Sequence, residues 1–278
     1  MLEAKFADLH IHTHYSDSSL SPAEVVDEAL RNGLSCIGIT DHDTLEGIIP
    51  VREAAAGTTL EVIDGIELSS ESHNQEVHIL GYLFDSHSDL FKAQLTRMQQ
   101  VRVERMKLMI QKLEKAGVQG ITLEEVSELT RSDAVGRMHL ALVLQRKGWV
   151  KAPQDAFKKY LAEGACAYVK KFEQTPQEAI KLIRESGGVA VLAHPMITQC
   201  DEIIANLVRS GLQGIEAFYP NCSPAVIEYY VGLAKKYHLV LTGGSDAHGA
   251  GKLNTFIGKM KVPYRFIEEL KKVKQGSF

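Results

Sequence analysis

Short apolar runs that end in polar residues alternate along the chain with stretches whose apolar positions recur every three or four residues. Ala4 to Ile11, Leu34 to Thr40, Leu60 to Ser69 and Val77 to Leu83 read as strands. The runs GVAVLAH, GIEAFYP and LVLTGGSDAH, which end at His194, Pro220 and His248, continue the series. Between them lie helical patterns. Ser21-Pro22 opens VVDEAL with a cap and a proline at the first helical position, and TPQEAIKLIRESG and PAVIEYYVGLAKKY have the same kind of start. Strands alternating with helices argue for parallel β/α units. Seven such strands fall one short of the eight of a closed TIM barrel.

The rhythm breaks from Ser86 to Ala165, where no run reads as a strand. One long helix is predicted from Leu90 to Lys115, with Leu95, Met98, Met109 and Leu113 near one face, and further helices near 122–130, 136–147 and 153–163. The expected organisation is α/β, with residues 1–85 and 166–278 forming the barrel and 86–165 a helical insertion over it. The tail VPYRFIEELKKVKQGSF reads as a helix closing the barrel.

Composition adds a charge asymmetry. The formal net charge is −4, which argues against a general nucleic-acid coat protein. Residues 86–166 nevertheless carry 14 Lys and Arg against 9 Asp and Glu, and the remainder 17 against 26. A basic insertion sits on an acidic body. Hydrophobic residues at 45% fit a folded globular chain, and no apolar run approaches a membrane span. With no signal-like start, a cytoplasmic protein without an obligate protein partner is expected. Cys36, Cys166, Cys200 and Cys222 lack metal or disulfide spacing and read as buried small hydrophobes.

The polar strand ends carry the chemistry. Strand one ends in Asp8, His10 and His12, strand two in Asp41 and His42, and strand three in Glu67. Strand four contains His78, a later strand ends in His194, and the last in Asp246 and His248. In barrel enzymes such ends converge on one active face. Imidazoles and carboxylates are ligands for Zn, Mn and Fe, and the period of two sends His10 and His12 to one side. His14, His73, His87 and His238 lack this placement and read as surface or loop residues.

The motifs DLHIHTHYSDSSLSP, ITDHDT, DGIELS, VHILGY, LAHP and GGSDAH, in that order, resemble those of the PHP family, named for polymerase and histidinol phosphatase. The resemblance spans nearly the whole chain. It implies a distorted seven-stranded β/α barrel that binds two or three divalent ions, commonly manganese, zinc or iron. By that resemblance His10, His12, Glu67 and Asp246 hold one ion, and Glu67 bridges to a second held by His78 and His194. Asp17, His42 and His248 hold a third. By the same resemblance Asp8 would orient a ligand histidine from behind rather than bind metal directly, and Asp41 and Asp43 would do likewise or sit as solvated loop acids.

Paired cations lower the pKa of a bridging water and polarise a phosphoryl oxygen, so the expected reaction is phosphate-ester hydrolysis by direct attack of a cation-bound hydroxide. The insertion would choose the substrate. Arg102 and Arg105 share the face of Met98 and Met109, and read either as a phosphate cluster or as a solvated face. Arg137 and His139, in GRMHLA, read as phosphate-binding. GRMHLA and the following AYV resemble the branch of nucleoside 3',5'-bisphosphate phosphatases and RNase AM, although AYV is followed here by Lys170-Lys171, which read as solvating a turn. A small phosphorylated nucleotide or short oligonucleotide is the expected partner. Histidinol phosphate is the rival substrate, and a non-catalytic metal or nucleotide sensor the rival class.

Overall fold

The computed structural model describes residues 5–73, 75–130, 135–170, 174–251 and 255–276. The first half begins with β1 (Phe6–Ile11), α1 (Pro22–Arg31), β2 (Cys36–Ile39), α2 (Ile48–Ala55), β3 (Glu61–Ser72) and β4 (Gln75–Tyr82). Four helices follow: α3 (Asp89–Lys115), α4 (Leu123–Ser127), α5 (Arg137–Arg146) and α6 (Pro153–Ala156), the last running into a π-turn at Phe157–Leu161. Then come α7 (Pro176–Glu185), β5 (Val189–Leu192), α8 (Pro195–Thr198), α9 (Ile204–Arg209), β6 (Gly214–Phe218), α10 (Pro224–Tyr237), β7 (Val240–Gly243), β8 (Val262–Pro263) and α11 (Arg265–Lys274).

The strands form one sheet in the order β7-β6-β5-β4-β3-β2-β1-β8. Beyond β7 the chain returns to β1, where His10 O accepts the Asp246 N–H at 2.8 Å and Ala247 O accepts the His12 N–H at 3.2 Å, so the barrel is nearly closed. The seven strands expected are β1 to β7. The eighth is the two-residue β8, antiparallel to β1, too short to leave a hydrophobic pattern. Contrary to the parallel units expected, β4 runs antiparallel to both β3 and β5. Only residues 73 and 74 separate β3 from β4, and a link that short makes a hairpin, whereas a parallel crossover needs a dozen residues or more.

Local chemistry explains the helix starts. Ser21 accepts the Glu24 N–H while Glu24 accepts the Ser21 N–H, and Thr175 and Glu178 repeat this box ahead of Pro176. α11 packs Phe266, Ile267 and Leu270 with Leu9, Tyr82, Val191 and Val240 of the strands, closing one end of the barrel. Of the cysteines, Cys36 and Cys200 are buried, whereas Cys166 is exposed and Cys222 half-buried, so the uniform burial expected for them does not hold.

The long helix α3 serves two cores. Phe91, Leu95 and Met98 pack with the barrel residues, and Met106, Met109, Ile110 and Leu113 join a second cluster with Val126, Leu140, Leu144 and Leu161. Leu95 and Met109 share a face, yet about 20 Å of helix rise separates them, enough to put them in different cores. Between these cores Arg102 ties the helix to the barrel. Its Nε donates to Asp43 Oδ2 at 2.8 Å, and its Nη2 donates to the same carboxylate and to Ser69 Oγ. Asp43 in turn accepts the Ser69 N–H at 2.8 Å and adopts a left-handed φ of 52°. Arg102 is therefore neither a solvated face nor an unengaged phosphate ligand.

Because Asp43 is buried and Arg102 largely so, removing one leaves a poorly solvated, unpaired charge. Arg102→Met is expected to cost about 3 kcal/mol in urea unfolding, and adding Asp43→Asn to return part of that loss. Strictly additive losses in this cycle would mean that the ion pair does not tie the helix down.

Candidate metal centre

β1 to β5 and β7 deliver nine side chains to one mouth of the barrel. His12, His42, His194, Asp246 and His248 follow the ends of β1, β2, β5 and β7, whereas His78 lies within β4 because that strand enters the mouth in the opposite direction. Close approach of β7 to β1 depends on Gly244, since a Cβ there would lie 2.4 Å from His10 N. His194 and Asp246 adopt φ values of 24° and 50°, rare for residues with a side chain and typical of strain held at functional sites.

The centre is organised about Glu67, which is 1% exposed. His10 Nε2 and His12 Nε2 face each other at 3.1 Å, and each lies 3.1 Å from Glu67 Oε2. Asp246 Oδ1 completes this group at 3.6 and 3.3 Å from the same two nitrogens. Adjacent ligands of a four-coordinate cation with bonds of about 2.0–2.2 Å sit about 3.3–3.6 Å apart, so the group has the dimensions of a cation cage. Glu67 Oε1 faces the other way, 2.7 Å from His78 Nδ1 and 3.0 Å from His194 Nε2. Around Asp17, His248 Nε2 lies at 3.1 Å and His42 Nε2 at 3.9 Å. His42 stands between the groups, its Nδ1 being 3.5 Å from Glu67 Oε2.

The donor set fits divalent cations on a further observation. His42 Nδ1 and His194 Nδ1 are buried without a hydrogen-bond partner, while Asp17 Oδ1 and His78 Nε2 have ion-pair approaches to His248 and Glu76 at 3.1 and 3.2 Å. Without a cation, imidazoles serve as the counter-charges. Burial works against protonation of His10, but Glu216, Glu67 and Asp246 outweigh it and hold the ring well above its ordinary pKa. Against the same desolvation, hydrogen bonds to Asp246 and Glu67 raise His12 to about 9, and the Glu67 charge raises His78 to about 10. Burial takes His42 down to about 3, against the pull of Glu67 and Asp17. Burial would raise Glu67, yet His42, His78 and His10 keep it well below the carboxylate range.

Glu216 was missed in the sequence. It is fully buried on β6, which contributes no residue to the three groups, and its Oε1 accepts from His10 Nδ1 at 3.0 Å while its Oε2 accepts the His194 N–H at 2.8 Å. It thereby turns His10 Nε2 toward the cage. An acid flanked by apolar residues in GIEAFYP was the available signal. Tyr219 similarly donates to Asp246 Oδ2 at 2.7 Å, leaving Oδ1 facing the imidazoles.

Asp8 touches no ligand ring. Its carboxylate accepts the N–H groups of Ser245 and Gly258, both at 2.8 Å, and burial pushes its pKa to about 6. It fastens backbone, and Glu216 fills the orienting role expected of it. Asp41 accepts the Thr13 N–H at 2.7 Å together with the Thr13 and Ser16 hydroxyls, which shapes the loop carrying Asp17.

Two adjoining cavities open over the centre. One of about 360 Å³ is lined by Glu67, His194, Tyr219, Asp246 and His248, and the other, of about 230 Å³, by Ser16, Glu76, Arg102, Arg105, Arg137 and Phe157. Asp17, His42, His78 and Met138 belong to both. Burial and the neighbouring Arg137 and Arg102 lower Arg105 to about 10, a sign of crowded positive charge. Its Nε donates to Val169 O at 2.8 Å. His139 departs from expectation: it is 3% exposed, outside both linings, and its Nδ1 accepts the Gly136 N–H to cap its own helix. Lys170 pairs with Glu71 at 3.2 Å, and Lys171 lies outside the described residues.

A β/α barrel whose mouth gathers imidazoles and carboxylates in cation-sized groups defines a class of metal-binding barrel proteins. The PHP domain matches residues 8–163, and the chain belongs to the PHP family. It is 36% identical over 248 residues to the 5'-3' exoribonuclease Rnm of Escherichia coli K12, covering 87% of this chain and 84% of that one. It is 30% identical over 256 residues to the 3',5'-nucleoside bisphosphate phosphatase of Chromobacterium violaceum, covering 90% of each. A solved structure described as a metal-dependent phosphoesterase, from Bifidobacterium adolescentis, superposes with a TM-score of 0.87 at 27% identity over 96% of both chains.

Glu216→Ala is expected to weaken divalent-cation binding by about 10- to 100-fold in an isothermal titration with Mn. Glu216→Gln, which keeps an acceptor for His10, should lose less. Equal affinity in wild type and both variants would remove Glu216 from the centre. Chelation of the wild type should lower Tm by about 5–10 °C, the effect of losing a ligand present at about 100 times its Kd from a protein of this size.

Proposed function

We propose that this chain is a metal-dependent phosphoesterase that hydrolyses phosphate esters of small nucleotides, 3',5'-bisphosphonucleotides foremost, or of short 5'-phosphorylated oligonucleotides. The observation that carries this reading is the shared wall between the two cavities. One holds the cation cage and the other is lined by arginines, so a ligand with two anionic groups can place one in each. The names of the exoribonuclease and bisphosphate phosphatase relatives support the same substrate class.

In this reading His10, His12, Glu67 and Asp246 hold one cation. Glu67, His78 and His194 hold a second, and Asp17, His42 and His248 a third. Mn, Fe and Zn all suit such mixed ligands. Bound cations supply Lewis acidity toward the phosphoryl group and an activated water. The protein's own groups do the positioning. Arg137, 27% exposed and 5.7 Å from the Phe157 ring centre, presents its guanidinium fork to the phosphate not being cleaved, with Arg105 beside it. Met138 and Phe157 offer apolar surface to the sugar or base. Arg102, already paired with Asp43, adds charge from behind. Among the described residues no helix is long and apolar enough to cross a membrane.

The test is phosphate release by Mn-loaded protein from 3',5'-bisphosphonucleotides, short 5'-phosphorylated RNAs and histidinol phosphate, beside Asp246→Ala. Turnover of the nucleotides that falls at least about 100-fold in the variant is the expected result, because that substitution removes a ligand. Preference for histidinol phosphate would overturn the substrate class, and tight binding without turnover in any metal would favour a sensor. Arg137→Ala should lower kcat/KM for bisphosphonucleotides by about 10- to 100-fold, mainly through KM, as expected for loss of a charge-assisted contact. Unchanged kinetics would release Arg137 from its role.

A further inference from the structure

We propose that Glu76 reads the 2'-hydroxyl of the substrate ribose and makes this site selective for ribonucleotides over deoxyribonucleotides. The inference rests on the nucleotide reading above and adds to it the sugar. Glu76 and His78 are two residues apart on β4, so both side chains leave the strand on the same face, His78 into the cation cage and Glu76 one step further out. The Glu76 carboxylate spans the boundary between the two halves of the cleft. Its Oε1 lies 3.2 Å from His78 Nε2, and its Oε2 lies 3.7 Å from Arg137 Nη2.

That boundary is where a nucleotide's sugar must lie. In a 3',5'-bisphosphate the ribose separates the two phosphates, and the 2'-carbon adjoins the carbon bearing the 3'-phosphate. With the 3'-phosphate at the cage and the 5'-phosphate at Arg137, the 2'-hydroxyl falls beside the group that touches both ends. A carboxylate can only accept, and a 2'-hydroxyl offers the donor that distinguishes RNA from DNA. Of the two carboxylates lining the arginine cavity among the described residues, Asp17 faces His248 and His42, and Glu76 faces the arginines. Glu76 is also 41% exposed, and so accessible to a ligand entering the cleft. A deoxyribose offers only a C–H group at that position and forgoes the hydrogen bond to the carboxylate.

The experiment compares adenosine 3',5'-bisphosphate with its 2'-deoxy analogue in wild type, Glu76→Gln and Glu76→Ala, all Mn-loaded. Wild type is expected to favour the ribonucleotide by about 10- to 100-fold in kcat/KM, the worth of one hydrogen bond to a charged group. Glu76→Ala should bring the ratio below about threefold, and Glu76→Gln, which keeps an acceptor oxygen, should fall between. Because the readout is a ratio within one protein, any loss of cation through His78 affects both substrates and cancels. No ribonucleotide preference in wild type, or an unaltered ratio in Glu76→Ala, overturns the proposal while leaving the phosphoesterase reading intact. If wild type cleaves neither bisphosphate yet cleaves another phosphate ester, the nucleotide reading itself fails and this proposal falls with it.

Discussion

Glu67 is the constraint on which the site depends. Its carboxylate is almost fully removed from water, in a chain where an isolated buried charge would be prohibitively unfavourable. One oxygen faces His10 and His12 and the other His78 and His194, so four imidazoles from β1, β4 and β5 are drawn to one carboxylate on β3. Burial works against charge on the rings of His10, His12 and His78, yet the surrounding carboxylates raise all three and favour their protonated forms. In the proposed reading the same nitrogens become ligands when cations bind, so protons and metal compete for them. The near-closure of the barrel through the Asp246–His10 backbone bond, the absence of a Cβ at Gly244 and the left-handed backbone at His194 and Asp246 all serve to hold this convergence.

A second level of organisation joins the acidic mouth to the basic helical layer. Asp43 links Ser69 of β3 to Arg102 of α3, which sets α3 and α5 at the rim and brings Arg105 and Arg137 within reach of the cleft. Opposite charges are thus kept as neighbours but separated by His78 and Glu76. That arrangement suits a ligand with two phosphates better than one with a single phosphate and an amine, which gains nothing from paired arginines.

Much of this was legible in the chain. Ligand types recur at strand ends with a spacing that only a convergent mouth explains, and His10, His12, Glu67, His78, His194, Asp246, His248, Asp17 and His42 all arrive there. The antiparallel course of β4 was readable in principle from the gap of seven residues between Ser69 and Val77, too short for a parallel crossover, but the alternation of strands and helices elsewhere masked it. Contacts across the barrel were not readable. Glu216 supports His10 from 206 positions away, and no local pattern encodes that distance. Arg102 and His139 had the residue types of phosphate ligands, yet Asp43 takes up one and helix capping the other, because a buried donor or acceptor is satisfied first by the nearest partner. Asp8 was expected to steady a histidine ring and instead receives backbone N–H groups.

In the proposed reading Glu67 is shared between two cations. Anomalous diffraction from crystals of the Mn-loaded protein, grown alongside Glu67→Gln, tests it most directly. Separate Mn peaks are expected on the two sides of the Glu67 carboxylate in the wild type, with at least one lost in the variant. Wild-type crystals with no anomalous peak between Glu67 and its imidazoles, at Mn concentrations that support phosphate release, would contradict it.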